Sequence, residues 1–394
     1  SSFAVFRNLI GLRLLFNLHH VRMPCLKILY GRDRYCPPEI TRYINNSTNI
    51  SIFDYIHNDV FAVVFFVIGV AACLLFIIGK WTRPAGWTSL FVFWNMIQSN
   101  SIFTFGFDHY TFNIFLCGLL LPLNNTWSLD SMGPAFQRRA PRLGFTFVLL
   151  IQISVIYFVT GILKNGEAWI HGYAVRNMLS DPYSTSLLGK ALRDLEWFYV
   201  PSTYITLVFE VLTPVFIFVK TKNNWLRWSG AITIIAFHIL ILLTYKVANF
   251  SISGLAVGCL LLPLGSNSIN FDSIKTPSVN NGLTLAGKIL SIIWMAVIIN
   301  SAFFYVAEKS PFSSSPLVND IRSSLSFLDV HPIEASPFYQ KWTMFAPNPF
   351  AYTGWLAIEM HEDDSKTELT SGRKVLEDRP VYKPKGWMHY MAYY

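Results

Sequence analysis

Residues 145–164 read FTFVLLIQISVIYFVTGILK, and the chain continues with NGEAWIHG over residues 165–172. No charged residue precedes Lys164 in this run, which is as long as the roughly 20 apolar residues that a helix needs to cross the hydrocarbon core of a membrane. The stretch therefore predicts a transmembrane helix that ends in one cation, followed by a turn rich in tryptophan and glycine.

Lys164 has three interpretations. Its ammonium can extend to the membrane interface, it can act as a topology signal, or it can be an amine that burial deprives of its proton and that acts as a base. Spacing alone favours the first two interpretations.

The rest of the chain has the composition of a polytopic membrane protein. Of its 394 residues, 53% are hydrophobic and only 14% are charged, which is too few charged residues for a soluble domain of this length. The net charge of +8 comes from cations in loops between apolar runs, without a basic stripe of interleaved aromatic residues, so nucleic acid is not an expected partner. The first apolar stretch lacks a small-residue cleavage site, which favours a retained span over a signal peptide.

Apolar runs predict about nine transmembrane helices. Their bounds are 3–19, 60–79, 87–105, 109–123, 145–164, 199–219, 229–245, 248–264 and 287–306. Lysines and arginines follow the second, fourth and sixth runs, and such basic loops stay in the cytoplasm. We therefore expect an all-α membrane domain over residues 1–306, with a cytoplasmic N-terminus and a non-cytoplasmic C-terminal tail.

Three segments outside the spans are predicted to lie on the non-cytoplasmic side. Residues 165–198 mix apolar and basic side chains, which is typical of short interfacial helices that cap the bundle. Residues 307–394 begin rich in serine and proline and then alternate in polarity, which predicts a small strand-containing appendage. The loop 20–59 carries glycosylation sequons and the pair Cys25 and Cys36, which either form a disulfide or remain two thiols.

Titratable residues inside the predicted spans are candidates for function, because a buried charge in a membrane tends to face a cavity or a partner. Glu210 is either paired with a basic residue of a neighbouring helix or part of a proton path or ligand site. His238 alone is more typical of a core histidine. The turn containing Asp108 and His109 is either an ordinary polar turn or, since the topology places Lys164 on the same face, part of an acid/base pocket. The histidines lack ligand spacing, so no metal site is predicted.

Several short pieces resemble a known family in their order and spacing. They are residues 6–12 (FRNLIGL), 109–110 (HY), 127–130 (WSLD), the aromatic, glycine, lysine and tryptophan positions of 157–172, 237–238 (FH), 249–252 (NFSI) and 342–345 (WTMF). Together they resemble the vitamin K-dependent gamma-carboxylase-like membrane proteins, whose shared region is called the horizontally transferred transmembrane domain.

This resemblance implies an activity and roles for individual residues. In the carboxylase, a lysine amine deprotonates the hydroquinone form of vitamin K, and reaction with oxygen yields a base that removes a proton from glutamate. Lys164 occupies the place of that lysine and His109 that of a histidine near the glutamate carbanion, so these two are the expected catalytic residues. The residues expected to bind a quinol cofactor are Tyr157, Trp169, His238 and Glu210.

The chain also departs from the carboxylase. Only about ninety residues follow Val306, in place of a large lumenal domain, and Leu163 stands where a second lysine lies beside the catalytic one. Two functions are therefore open. The first is a carboxylase-like or quinol-linked lyase or oxidoreductase that modifies or matures a peptide on the non-cytoplasmic side. The second is a non-catalytic accessory or assembly subunit of a larger membrane complex. Membrane lipid is an expected partner in both.

Overall fold

Helices dominate the computed structural model, which describes residues 2–32, 34, 51–99, 104–134, 136–139, 141–181, 184–263, 282–310, 315–324, 342–349, 359–362, 365–368 and 373–374. In chain order the α-helices of these ranges are α1 (Ser2–Phe16), α2 (Leu26–Tyr30), α3 (Asp59–Ile78), α4 (Thr82–Ser99), α5 (Gly106–Gly118), α6 (Leu143–Leu163), α7 (Glu167–Ile170), α8 (Ala174–Met178), α9 (Leu187–Leu192), α10 (Glu196–Phe218), α11 (Trp225–Thr244), α12 (Ala248–Leu261), α13 (Gly282–Lys309) and α14 (Pro316–Ser324).

Five helices of the described residues are long and apolar enough to cross a membrane, namely α3, α6, α10, α11 and α13. A helix also lies at each of the other four predicted spans, but α5 and α12 have only 13 and 14 residues, and the 15 residues of α1 are continued by a π-helix over Asn17–Arg22. At 1.5 Å per residue α5 and α12 are roughly 20 Å long, against a hydrocarbon core of about 30 Å. α4 is longer but carries polar residues such as Asn95 and Gln98. The structure thus supports a polytopic helical membrane protein without establishing nine crossings.

Helix α6 lies at the centre of the bundle. Within its most apolar window, 72% of the residues are buried, against 28–33% for the other four long helices. It packs against α5, α10 and α13, while α1 packs against α3 and α12. The C-terminal end of α6 consequently places Lys164 inside the bundle, and the faces of α3, α10, α11 and α13 that remain exposed are available to lipid.

Local sequence signals explain where α3 begins and ends. The side chain of Asn58 accepts hydrogen bonds from the backbone N–H groups of Val60 and Phe61, which are left unpaired at a helix N-terminus. Gly79 then ends the helix with a φ of +72°, a left-handed conformation that favours glycine, and the backbone of Ser128 packs closely against it. Any side chain at Gly79 would overlap the loop that contains Ser128.

The segment between α6 and α10 forms a cap of three short helices, α7, α8 and α9, as the mixed composition of residues 165–198 predicts. This cap is tied to the turn between α11 and α12. Thr185 and Tyr245 form an antiparallel bridge, and the backbone N–H of Lys246 donates a hydrogen bond to the carbonyl of Ser184. The cap therefore lies over one end of α10 and α11.

Three short strands follow the bundle. β1 (Glu359–Glu362), β2 (Ser365–Glu368) and β3 (Arg373–Lys374) form an antiparallel sheet in the order β1-β2-β3. The rest of residues 351–394 lies outside the described ranges, so the strand-containing appendage and the domain boundary at 306 stay predictions. Cys25 is a free thiol, whereas Cys36 and the sequon asparagines Asn45, Asn46 and Asn49 lie outside the described ranges.

Candidate functional site

Lys164 forms a buried ion pair with Glu210. The lysine follows the last residue of α6 and is 6% exposed, and its Nζ lies 2.5 Å from both carboxylate oxygens of Glu210, in the middle of α10. Gly161, one turn earlier on α6, makes this approach of the helices possible, because a Cβ there would lie 3.0 Å from the Cβ of Glu210. The ammonium therefore points into the protein and not toward the interface.

Trp169 covers the ion pair from the cap side. The lysine Nζ lies 4.6 Å from the centre of the indole ring, a distance at which the ring face attracts a cation. The indole is 1% exposed, and its Nε1–H donates a hydrogen bond of 2.9 Å to the carbonyl of Phe345. The lysine thus has an anionic partner on one side and an aromatic ring on the other.

A cavity of about 280 Å³ opens beside the ion pair, under the cap. Its walls come from the cap, from α10 and α11, from Phe250 on α12 and from residues 344–345, and they are predominantly aliphatic and aromatic. Lys164 and Glu210 are the charged side chains among its described lining residues. Ligand pockets in proteins begin at roughly 300 Å³, so the space suits an apolar group of about the size of a substituted ring.

The cavity reaches the outer surface of the bundle between α10 and α11. Ile205 on α10 and Leu240 on α11 both line it, yet they are 62% and 37% exposed on the outside of the bundle. The cavity therefore opens on the outside of the bundle, between two helices that are apolar enough to cross a membrane.

Tyr157 and His238, both predicted to bind a cofactor, lie one layer below this cavity. The Tyr157 hydroxyl is 2.8 Å from Nε2 of His238 and 3.2 Å from the hydroxyl of Tyr110. Aromatic rings of the cavity wall cover them, because Phe209 contacts Tyr157 and Phe250 contacts His238 at centroid distances of 5.7 and 4.8 Å. These two residues support the wall of the cavity without lining it.

The turn of Asp108 and His109 separates its two side chains. Asp108 is buried and pairs with Arg13 at 2.6 Å and with Arg22 at 3.6 Å. His109 is exposed on the next position of α5 and is not among the residues that line the cavity. The start of α5 nevertheless lies near the site, since a Cβ on Gly106 would be 3.7 Å from the side chain of Met344. The structure therefore brings Lys164 together with Glu210 and Trp169, and places His109 apart from this group.

Of the residues that line the cavity, sequence reasoning singled out only Lys164, Trp169 and Glu210; Met344 and Phe345 are among those it missed. The resemblance of residues 342–345 to the carboxylase-like proteins was the signal that pointed to them, but nothing in their composition places them beside Lys164. Among the described residues there is no group of histidine, cysteine, aspartate and glutamate side chains arranged to hold a metal ion.

A family model classifies the membrane bundle. The HTTM domain model matches residues 1–264, which is two thirds of the chain. This chain belongs to the HTTM family. The match includes Lys164, Glu210 and the cap, whereas residues 344–345 lie beyond it. No curated protein and no solved structure matches the chain, so the classification of this HTTM protein rests on the family model.

Proposed function

We propose that this HTTM protein binds a quinol-like, lipid-soluble ligand in the cavity beside Lys164 and uses the lysine as a base toward the ligand's hydroxyl group. The match to the HTTM domain supports the proposal through the resemblance of the chain to the vitamin K-dependent carboxylase-like proteins. The observation that carries the proposal is an apolar cavity, open toward lipid, that ends at a buried amine and carboxylate. A flat ring with an apolar tail matches the aromatic walls, and its hydroxyl would lie at the polar end.

The ion pair gives the site a means of handling one proton. In water-poor surroundings an ammonium–carboxylate pair is in competition with the neutral pair of amine and carboxylic acid. Desolvation penalises the two charges, while their mutual attraction favours them. When Glu210 takes the proton of Lys164, the neutral amine can accept a proton from a hydroxyl in the cavity. Lys164 is then an ammonium again, and Glu210 holds the proton it took. A bound quinol would supply the acidic hydroxyl and the electron-rich ring that oxygen chemistry requires.

The proposal includes the membrane topology. The shorter helices α1, α4, α5 and α12 complete nine crossings, and the basic loops place the N-terminus in the cytoplasm and the cap outside. Contacts between the ends of the helices support two separate faces. On the proposed inner face, the Ser2 hydroxyl donates to the carbonyl of Leu262, and Asp130 binds the first turn of α4. On the outer face, Lys246 binds Ser184. A peptide substrate would meet the protein on that outer face.

Ligand-dependent thermal stability tests the proposal. A ligand present at 100 times its Kd stabilises the native state by about 2.7 kcal/mol, so a short-tailed quinol kept under anaerobic conditions should raise the Tm of the purified protein. Lys164→Arg keeps the positive charge but replaces the amine with a guanidinium, which does not release its proton at working pH. The control variant, Lys190→Met, removes an exposed lysine of the cap. We expect the Lys190→Met variant to behave as the wild type in both ligand binding and cellular phenotype, and Lys164→Arg to lose the phenotype.

The alternative function predicts a different result. A non-catalytic accessory subunit would show no quinol-dependent change in Tm, and Lys164→Arg would leave its cellular phenotype intact as long as the protein folds. Either of these two results in a folded protein overturns the proposed enzyme.

A further inference from the structure

Residues 342–349 cross the cap and are fixed to it by three hydrogen bonds. The backbone N–H of Gly166 donates to the carbonyl of Pro347 at 3.0 Å, and that of Ala168 donates to the side-chain oxygen of Asn348 at 2.9 Å. The third bond is that from the indole of Trp169 to the carbonyl of Phe345. All three donors belong to the first turns after Lys164.

The same residues extend from the wall of the cavity to the outer surface of the protein. Trp342 is 1% exposed and packs in the main hydrophobic core, which anchors one end of the segment. Met344 and Phe345 then line the cavity, while Pro347 and Asn348 are exposed on the outside. One face of the segment thus belongs to the cavity wall and the other to the surface of the cap.

We propose that residues 342–349 are a gate that closes the Lys164 site toward water. A lipid-soluble ligand can enter between α10 and α11 while the gate is closed, but a polar molecule arriving on the cap side can reach Lys164 only after the segment has moved. The gate lies beyond the family-matched residues 1–264. The claim that the gate admits a polar molecule to Lys164 rests on the proposed function. The claim that the segment closes the cavity toward water does not.

Asn348 and Gly166 form the latch of this gate. A Cβ on Gly166 would overlap the side chain of Asn348, so Gly166→Ala forces the two apart. Asn348→Ala removes the acceptor of the Ala168 N–H without adding atoms. Two matched controls are available: Asn319 is an exposed asparagine on α14, and a Cβ on Gly133 would meet only ordinary contacts at 3.7 Å.

Cysteine accessibility measures whether the gate is closed. Thr206 lines the cavity one turn before Glu210 and is 8% exposed, so Thr206→Cys places a thiol of similar size behind the gate. The protein is reconstituted in lipid nanodiscs and treated with a charged maleimide, and the labelled peptide is quantified by mass spectrometry. We expect labelling to be far slower than that of Leu187→Cys, whose native side chain is 86% exposed.

The latch variants decide the outcome. Losing one hydrogen bond of about 1 kcal/mol should speed the labelling of the Thr206→Cys thiol about fivefold in Asn348→Ala, and by at least as much in Gly166→Ala. Asn319→Ala and Gly133→Ala should leave the rate unchanged. The gate is refuted if Asn348→Ala labels no faster than Asn319→Ala, or if the thiol reacts as fast as that of Leu187→Cys in the otherwise unchanged protein.

This experiment needs no ligand, so its failure is distinct from that of the proposed function. Slow labelling that the latch variants accelerate, together with no quinol-dependent rise in Tm, would retain the gate and reject the quinol site. A quinol-dependent rise in Tm with equal labelling in all variants would reject the gate alone.

Discussion

The buried Lys164–Glu210 pair predicts that a double variant lacking both charges is more stable than either single variant. Glu210→Met leaves the Lys164 ammonium buried without its carboxylate, and Lys164→Met leaves the carboxylate without its ammonium. The two side chains are 3% and 6% exposed, so water replaces neither missing partner. Removing one member of such a pair is expected to destabilise the protein by about 3–5 kcal/mol.

The double variant should be more stable than either single variant. With methionine at both positions, no charge is buried, and apolar side chains of similar length fill the space between α6 and α10. Replacing a whole buried ion pair with apolar residues is often neutral or stabilising by roughly 1–4 kcal/mol. The coupling free energy between the two positions should therefore be several kcal/mol. By comparison, the effects of substitutions at distant positions are additive to within roughly 0.5 kcal/mol.

Thermal unfolding in a single detergent gives the required comparison. The four proteins are wild type, the two single variants and the double variant. The same cycle at the exposed pair of Arg193 and Asp194 serves as the control, and we expect little or no coupling there. Additive effects at Lys164 and Glu210, with the double variant the least stable of the four, would refute the reasoning. That result would mean that the two groups are separately solvated and that no dry ion pair exists.

Two further ion-pair and hydrogen-bond predictions concern other parts of the bundle. Asp108→Asn should cost about 3–5 kcal/mol in thermal unfolding, because it leaves the buried guanidinium groups of Arg13 and Arg22 without their carboxylate. Asp194→Asn, at an exposed position, should leave stability nearly unchanged, and equal effects of the two substitutions would contradict this account of Asp108. Partial burial raises the pKa of Asp130, but hydrogen bonds from the backbone and hydroxyl of Thr82, a further backbone N–H and a nearby lysine outweigh it and hold the pKa below its ordinary value. The carboxylate therefore stabilises the fold above its unfolded pKa of about 3.9, and this contribution is lost as the pH falls through the lower folded value. The stability difference between wild type and Asp130→Asn, measured by chemical unfolding, should be about 1 kcal/mol at neutral pH and shrink below about pH 4, and a difference independent of pH would exclude the carboxylate as its source.

The sequence predicted the positions of the helices because apolar runs are a local signal. A helix lies at each predicted span, and the mixed composition of residues 165–198 predicted the cap. Whether a short helix crosses the membrane depends on its packing in the folded protein and not on its local sequence. α5 has 13 residues and is held in the bundle by the ion pair between Asp108 and Arg13, which are 95 positions apart.

The site was predictable only in part for the same reason. Lys164 and Glu210 each stood out as titratable residues near apolar runs, and pairing with a neighbouring helix was one of the two interpretations of Glu210. Which helix supplies the partner depends on packing at Gly161 over a separation of 46 residues. Phe345 is further still from Trp169 in sequence, at a separation of 176 residues, and no periodicity connects them.

The protonation state of the ion pair depends on the exclusion of water, which the gate would control. A neutral amine is accessible in the Lys164–Glu210 pair only while the surroundings penalise both charges, since water would solvate them and favour the ammonium and the carboxylate. In the proposed function the ligand enters from the bilayer, which keeps the cavity dry on one side, and the proposed gate of residues 342–349 keeps it dry on the other. Opening the gate should therefore change more than access, because the water it admits stabilises the charged pair and weakens the base. For this reason Asn348→Ala, although it touches neither Lys164 nor Glu210, is expected to lower any activity that depends on the amine even while it speeds the labelling of the cavity.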